Sequence, residues 1–97
     1  MTRRIVLVCA PYVYLAQLAR DLHGTRAQVG AQNLSQQAPG AFTGEIAGEM
    51  LLDIDCRWVI VGHSERRALY GEDDAIVAAK AQRAIVLGMQ PIVCIGV

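Results

Sequence analysis

Four short apolar runs punctuate the chain, with amphipathic stretches between them. Ile5-Val6-Leu7-Val8-Cys9-Ala10 is unbroken, rich in β-branched residues and halted by Pro11, which suits a buried parallel strand. Leu15, Leu18, Ala19 and Leu22 then recur at i, i+3, i+4 and i+7, with Gln17, Arg20 and Asp21 on other faces and Gly24 as a stop; a helix follows. The apolar signal of Ala27-Gln28-Val29-Gly30-Ala31-Gln32-Asn33 is poorer, and that stretch is a weaker strand candidate. Residues 34–44, rich in Ser, Gln, Pro and Gly, read as a long loop. Beyond it, Ala47, Met50, Leu51 and Ile54 mark one helical face, and Glu45 is expected in that helix's first turn, where a carboxylate complements the dipole. Trp58-Val59-Ile60-Val61 reads as a strand buried on both faces, and Gly62 permits a close backbone approach at its end. Glu72-Asp73-Asp74 is expected to open a third helix, whose stripe is Val77, Ala81, Ala84, Ile85 and Gly88. Pro91-Ile92-Val93-Cys94-Ile95-Gly96-Val97 is the fourth strand.

The order strand-helix-strand-helix-strand-helix-strand makes three βαβ units, each right-handed, and hence a parallel sheet. Two architectures satisfy it. One is an open, doubly wound sheet with helices on both faces, a binding or assembly module in which the apolar face is an interface. The other is an arc of a (β/α)8 barrel with every helix on one face. A chain of 97 residues is one domain at most, and 54% hydrophobic content with a mean hydropathy of +0.32 is apolar for that size. Such a chain must either pack very efficiently or hide surface against another polypeptide; incompleteness is the simplest explanation.

Nine basic and nine acidic residues cancel. The like-charge runs are only Arg3-Arg4, Arg66-Arg67 and Glu72-Asp73-Asp74, so no footprint for nucleic acid is visible. No apolar segment reaches the roughly 20 residues of a membrane helix, and the start lacks a signal-peptide cleavage site, which reads as cytoplasmic. Cys9, Cys56 and Cys94 form no C-x-x-C pair, and with two histidines they suggest neither zinc nor a disulfide framework. Cys9 and Cys94, at strand ends, read as small buried hydrophobes.

Chemistry concentrates at Gly62-His63-Ser64-Glu65-Arg66-Arg67, where an apolar strand runs into ionisable side chains. His63 would stand at the carboxyl end of a parallel strand, where α/β proteins bind ligands and barrel enzymes place catalytic groups. Taken alone, it is more simply a surface or satisfied core histidine. If residues 64–67 begin a helical turn, their exposed N–H groups favour the neutral imidazole. Arg66 and Arg67 could clamp a phosphate, but ion pairs with Glu72, Asp73 or Asp74 are the commoner arrangement. Lys80 reads as a solvated surface charge beside an apolar stripe. Asn33 is a turn-former or polar support.

The same stretch, together with Ala31-Gln32-Asn33, Gly40-Ala41-Phe42-Thr43-Gly44-Glu45, Tyr70-Gly71-Glu72 and Cys94-Ile95-Gly96 in that order, resembles the triose-phosphate isomerase family. The resemblance covers nearly the whole chain, residues 1–97 as one partial domain, and implies an incomplete (β/α)8 TIM barrel running from its second strand to its fifth. It supports a strand at residues 27–33 and decides for the barrel over the open sheet. It implies a cofactor-free interconversion of dihydroxyacetone phosphate and glyceraldehyde 3-phosphate. In the family a neutral imidazole polarises the substrate carbonyl while a glutamate removes the proton. His63 matches the imidazole. Ser64, Glu65 and Asn33 match supporting positions, and Glu65 is not the base, which in the family follows the sixth strand. The asparagine and lysine after the first strand and the phosphate-gripping loops of the last strands have no counterpart here, so the piece is expected to be inactive alone. Residues 36–44 match the loop that docks into a second subunit of a homodimer, with Phe42, Thr43 and Gly44 at the contact. Val97 stands where the family usually has glutamate.

Overall fold

A computed structural model describes residues 4–95. Its elements run β1 (Val6–Ala10), α1 (Tyr12–Asp21), β2 (Ala27–Ala31), α2 (Gly48–Asp53), β3 (Trp58–Val61), α3 (Ser64–Tyr70), α4 (Asp74–Val86) and β4 (Gln90–Val93). All three strand pairs are parallel, and the sheet order is the chain order, β1-β2-β3-β4.

Register decides which side chains share a face. Cys9 lies beside Gly30, Gly30 beside Trp58, Trp58 beside Gln90, and Ile60 beside Ile92. Alternation along each strand then puts Val29, Ala31, Val59 and Val61 on the opposite face. Those four are buried against Leu15 of α1, Leu51 of α2, and Val77 and Ala84 of α4, with Leu34, Cys56 and Met89 filling between. α1, α2 and α4 therefore lie on one face of the sheet. An open doubly wound sheet would need them on both, so the open-sheet module is set aside and the four strands form an arc of a (β/α) barrel.

β3 departs from the expectation of burial on both faces. Val59 and Val61 are wholly buried, whereas Trp58 and Ile60 remain half-exposed on the concave side. Four equally apolar residues look alike in sequence, but only one face of this arc is covered. On the open face the Trp58 indole N–H donates to Gln28 Oε1 at 2.7 Å. Gly30 lies between Cys9 and Trp58, and a Cβ there would stand 2.7 Å from Cys9 Sγ and 3.3 Å from Trp58 Cβ, so the cysteine side chain would have to move.

Other boundaries also shift. α2 begins at Gly48, not near Glu45, because the Ile46 carbonyl is taken by the Ser35 N–H at 2.8 Å and holds residues 45–46 in the loop. Glu49 occupies the acidic first turn instead, and Met50 turns outward at 44% exposure. Two helices, not one, separate β3 from β4. α3 ends at Gly71 in the left-handed conformation (φ 66°), and α4 restarts with Asp73 as its cap, its carboxylate accepting from the Ile76 N–H at 2.9 Å. Glu72 thus precedes α4 rather than opening it. The buried stripe of α4 is Val77, Lys80 and Ala84; Ile85 is exposed and Gly88 is a turn residue with φ 79°. β2 ends at Ala31 and β4 spans Gln90–Val93, while the Val97 position lies outside the described residues.

Candidate active site

At the carboxyl ends of β1, β2 and β3 opens a cleft of about 490 Å³, lined by Cys9, Tyr12, Asn33, Ile60, His63, Glu65 and Arg66 among others. The end of each strand supplies part of it. Pro11 closes β1 and starts α1, bringing Tyr12 to the rim. Gln32 and Asn33 leave β2, and Gly62 turns the chain sharply out of β3. Gly62 has φ 72°, and a Cβ on it would stand 2.7 Å from Val77 Cγ1, so both conformation and space require glycine there.

His63 caps α3. Its Nδ1 accepts the backbone N–H of Glu65 at 3.1 Å. An imidazole nitrogen that accepts cannot carry the proton, so this bond selects the neutral ring with its proton on Nε2. The Glu65 carboxylate lies 3.5 Å from the same Nδ1, and its side chain, 78% exposed, lines the outer part of the cleft beside the ring. Ser64 is the exposed first residue of α3.

Beneath the rim lies a buried ionic chain. Lys80 Nζ donates to Asn33 Oδ1 at 2.8 Å and to Glu72 Oε2 at 2.6 Å, and Arg66 Nε reaches the same carboxylate oxygen at 2.7 Å. Lys80 and Glu72 are each 6% exposed. The expectation of a solvated Lys80 is therefore wrong. Its place three residues after Val77 and four before Ala84 puts it on the inward face of α4, and the charge is tolerated because Glu72 and Asn33 meet it. Burial pushes the Glu72 carboxyl up, but the Lys80 and Arg66 hydrogen bonds outweigh it and hold the group below the usual carboxylate range.

Arg66 and Arg67 are committed to ion pairs, as expected. Arg66 binds Glu72 and lies 4.6 Å over the Tyr70 ring, and Arg67 Nη1 reaches Asp74 Oδ1 at 2.7 Å. Asn33, through its Oδ1, is joined to the ionic chain at Lys80. The Tyr12 phenol, pushed up to about 12 chiefly by burial, stays protonated at neutral pH and faces the cleft as a neutral group. Burial likewise raises the Cys9 and Cys56 thiols, which disfavours the thiolate. Cys56 is a buried packing residue, whereas Cys9 and Cys94, expected to be buried, are only partly covered because they sit at strand ends, and Cys9 lines the cleft. Phe42, Thr43 and Gly44 are exposed on the loop and do not line the cleft. That loop is pinned at its base by the buried Leu34 and Ser35. Among the described residues no three His, Cys, Asp or Glu side chains are grouped to hold a metal ion, and no helix is long and apolar enough to cross a membrane.

Sequence reasoning missed Tyr12 at the rim and the convergence of Lys80 and Glu72 beneath it. The inward spacing of Lys80 was the available signal, and Glu72 was foreseen only as a partner of the arginines; for Tyr12 there was no signal.

Helices packed on one face, parallel strands and ionisable groups gathered at the carboxyl rim define an arc of a (β/α) barrel. The family model for triosephosphate isomerase matches residues 2–97. Curated relatives with that name are 56% identical over 89 residues in Thiobacillus denitrificans (92% of this chain, 36% of the relative) and 58% over 91 residues in Albidiferax ferrireducens (94% and 37%). One from Symbiobacterium thermophilum is 53% identical over 91 residues (94% and 36%). The chain belongs to the triosephosphate isomerase family, and it spans a little over a third of the length of these relatives.

Proposed function

We propose that this chain supplies the electrophilic wall of a triose-phosphate isomerase site, with His63 as the catalytic residue. The observation that carries this is the Glu65 N–H to His63 Nδ1 bond, which leaves a neutral ring with a proton on Nε2 lining the cleft. Removing a proton from carbon beside a carbonyl builds negative charge on the oxygen, and a fixed donor in a water-poor site stabilises that charge. A neutral imidazole donates this bond and can later shuttle a proton between the two oxygens of an enediolate. In this reading Ser64 and Glu65 begin the turn that orients the ring, and Asn33 ties the end of β2 to Lys80. The base that removes the proton comes from outside the described residues. The substrate is a triose phosphate and the reaction needs no cofactor. The exposed Phe42-Thr43-Gly44 tip would contact a second copy in a homodimer, in a cytoplasmic setting.

The test is a coupled isomerase assay on two preparations. One is the 97-residue chain alone. The other is a composite barrel, in which residues of this chain replace the matching segment of the Thiobacillus denitrificans relative. Turnover by the composite and none by the chain alone is expected. An inactive but folded composite, or turnover by the chain alone that survives His63→Ala, would sink the reading.

In the same composite, Lys80→Met should lower stability in urea unfolding by about 3–5 kcal/mol, because it leaves the Glu72 charge buried beside a single remaining cation. The pH dependence has a definite sign. Glu72 has a folded value below its unfolded one, so its contribution is complete above the unfolded carboxylate value and is lost as pH falls through the folded one. The parent should therefore lose its advantage over Lys80→Met progressively in acid; an advantage that does not change with pH would refute the pairing.

A further inference from the structure

Arg67 does not line the cleft, yet its side chain is only 19% exposed, and it grips the backbone on which His63 is mounted. Its Nε donates to the Gly62 carbonyl at 2.8 Å, and its backbone N–H donates to the His63 carbonyl at 3.0 Å. The carbonyls on both sides of the His63 nitrogen and α-carbon are thus held by one residue. Nη2 donates to the Cys94 carbonyl at 2.9 Å, just beyond the last β3-β4 ladder bond, Cys94 N–H to Val61 at 2.9 Å. The guanidinium therefore continues the ladder past the point where β3 turns away, and Nη1 on Asp74 anchors it to α4.

The geometry points to Arg67 as a positioning residue for His63: by fixing the peptide planes around it, the guanidinium sets the direction from which the imidazole enters the cleft. This rests on the catalytic role proposed for His63. Three acceptors in three directions are met by one planar fork of donors, a task for which a lysine ammonium on a flexible stem is poorly shaped. Gly62 needs such a grip because its left-handed conformation leaves a residue with no side chain at the pivot.

The experiment uses the composite barrel with Arg67→Lys and, as a second variant, Asp74→Asn, which removes only the outer anchor. Arg67→Lys is expected to lower kcat about tenfold to a hundredfold, the scale on which small misplacements act. KM should change little, and the ¹⁵N signal of the His63 ring, identified by its loss in His63→Gln, should shift or broaden. Asp74→Asn should keep kcat and the ring signal close to the parent. Parent-like kcat and ring signal in Arg67→Lys would overturn the proposal. So would a loss of activity matching the loss of folded protein, failure of Arg67→Lys to fold at all, or an equal loss in Asp74→Asn. If His63→Gln itself keeps full turnover, the catalytic reading fails first, which separates the two.

Discussion

On its own, the 97-residue chain should give a broad, concentration-dependent unfolding transition and a heterogeneous size distribution. The reason is the concave face. Leu7, Trp58, Ile60 and Ile92 point to a side that no helix covers, and burying such side chains fully is worth about 1.5–3 kcal/mol each. Half of that, forgone at four positions, comes to roughly 3–6 kcal/mol. A whole domain is typically stable by only ~5–15 kcal/mol. The edges add to the problem, since β1 and β4 each present an unpaired row of backbone donors and acceptors, the usual template for association between chains. Exposed Val13, Tyr14, Leu69 and Ile95 supply further sticky surface. Calorimetry with analytical ultracentrifugation across a concentration series checks this, and a sharp, concentration-independent melt from a monodisperse monomer would contradict it. The composite barrel, with the concave face closed, should melt cooperatively.

His63→Ala in that composite should cost about 10²–10⁴ in kcat, the range for a group that moves protons or stabilises developing charge in the transition state. The loss should fall on kcat rather than KM, because the carbonyl bond strengthens as negative charge accumulates. Glu65→Gln makes the informative contrast. The bond that selects the ring's tautomer comes from the Glu65 main chain, which the substitution preserves, so turnover should stay nearly intact. A collapse of kcat in Glu65→Gln as deep as that in His63→Ala would mean that the carboxylate itself takes part. It would also displace the assignment of Glu65 to support.

Much of this was legible before any coordinates. β1, β3 and β4 and the helices α1, α2 and α4 announced themselves through local periodicity, because the spacing of apolar residues follows directly from the geometry of strand or helix, whereas β2 needed the family motif as well. The ion pairs of Arg66 and Arg67 were legible too, their partners lying 6 and 7 residues onward. Lys80 was misread for the opposite reason. The groups that make its burial tolerable include Asn33, 47 residues earlier, and no local pattern reports a partner at that distance. The helix expected from the acidic run is α4, whereas α3 was foreshadowed only as a helical turn at residues 64–67; Gly71 in the left-handed conformation keeps the two apart.

The alternation of strands with helices, the parallel sheet, the histidine at a strand's end and the family motifs are properties of neighbouring residues, and the sequence alone determined them. Which face of the sheet the helices cover, that Val59 is buried while Ile60 is left open, and that Lys80, Glu72 and Asn33 converge under the rim were decided only by tertiary structure. Those depend on strand register and on contacts between distant segments, where packing and charge pairing override any local preference.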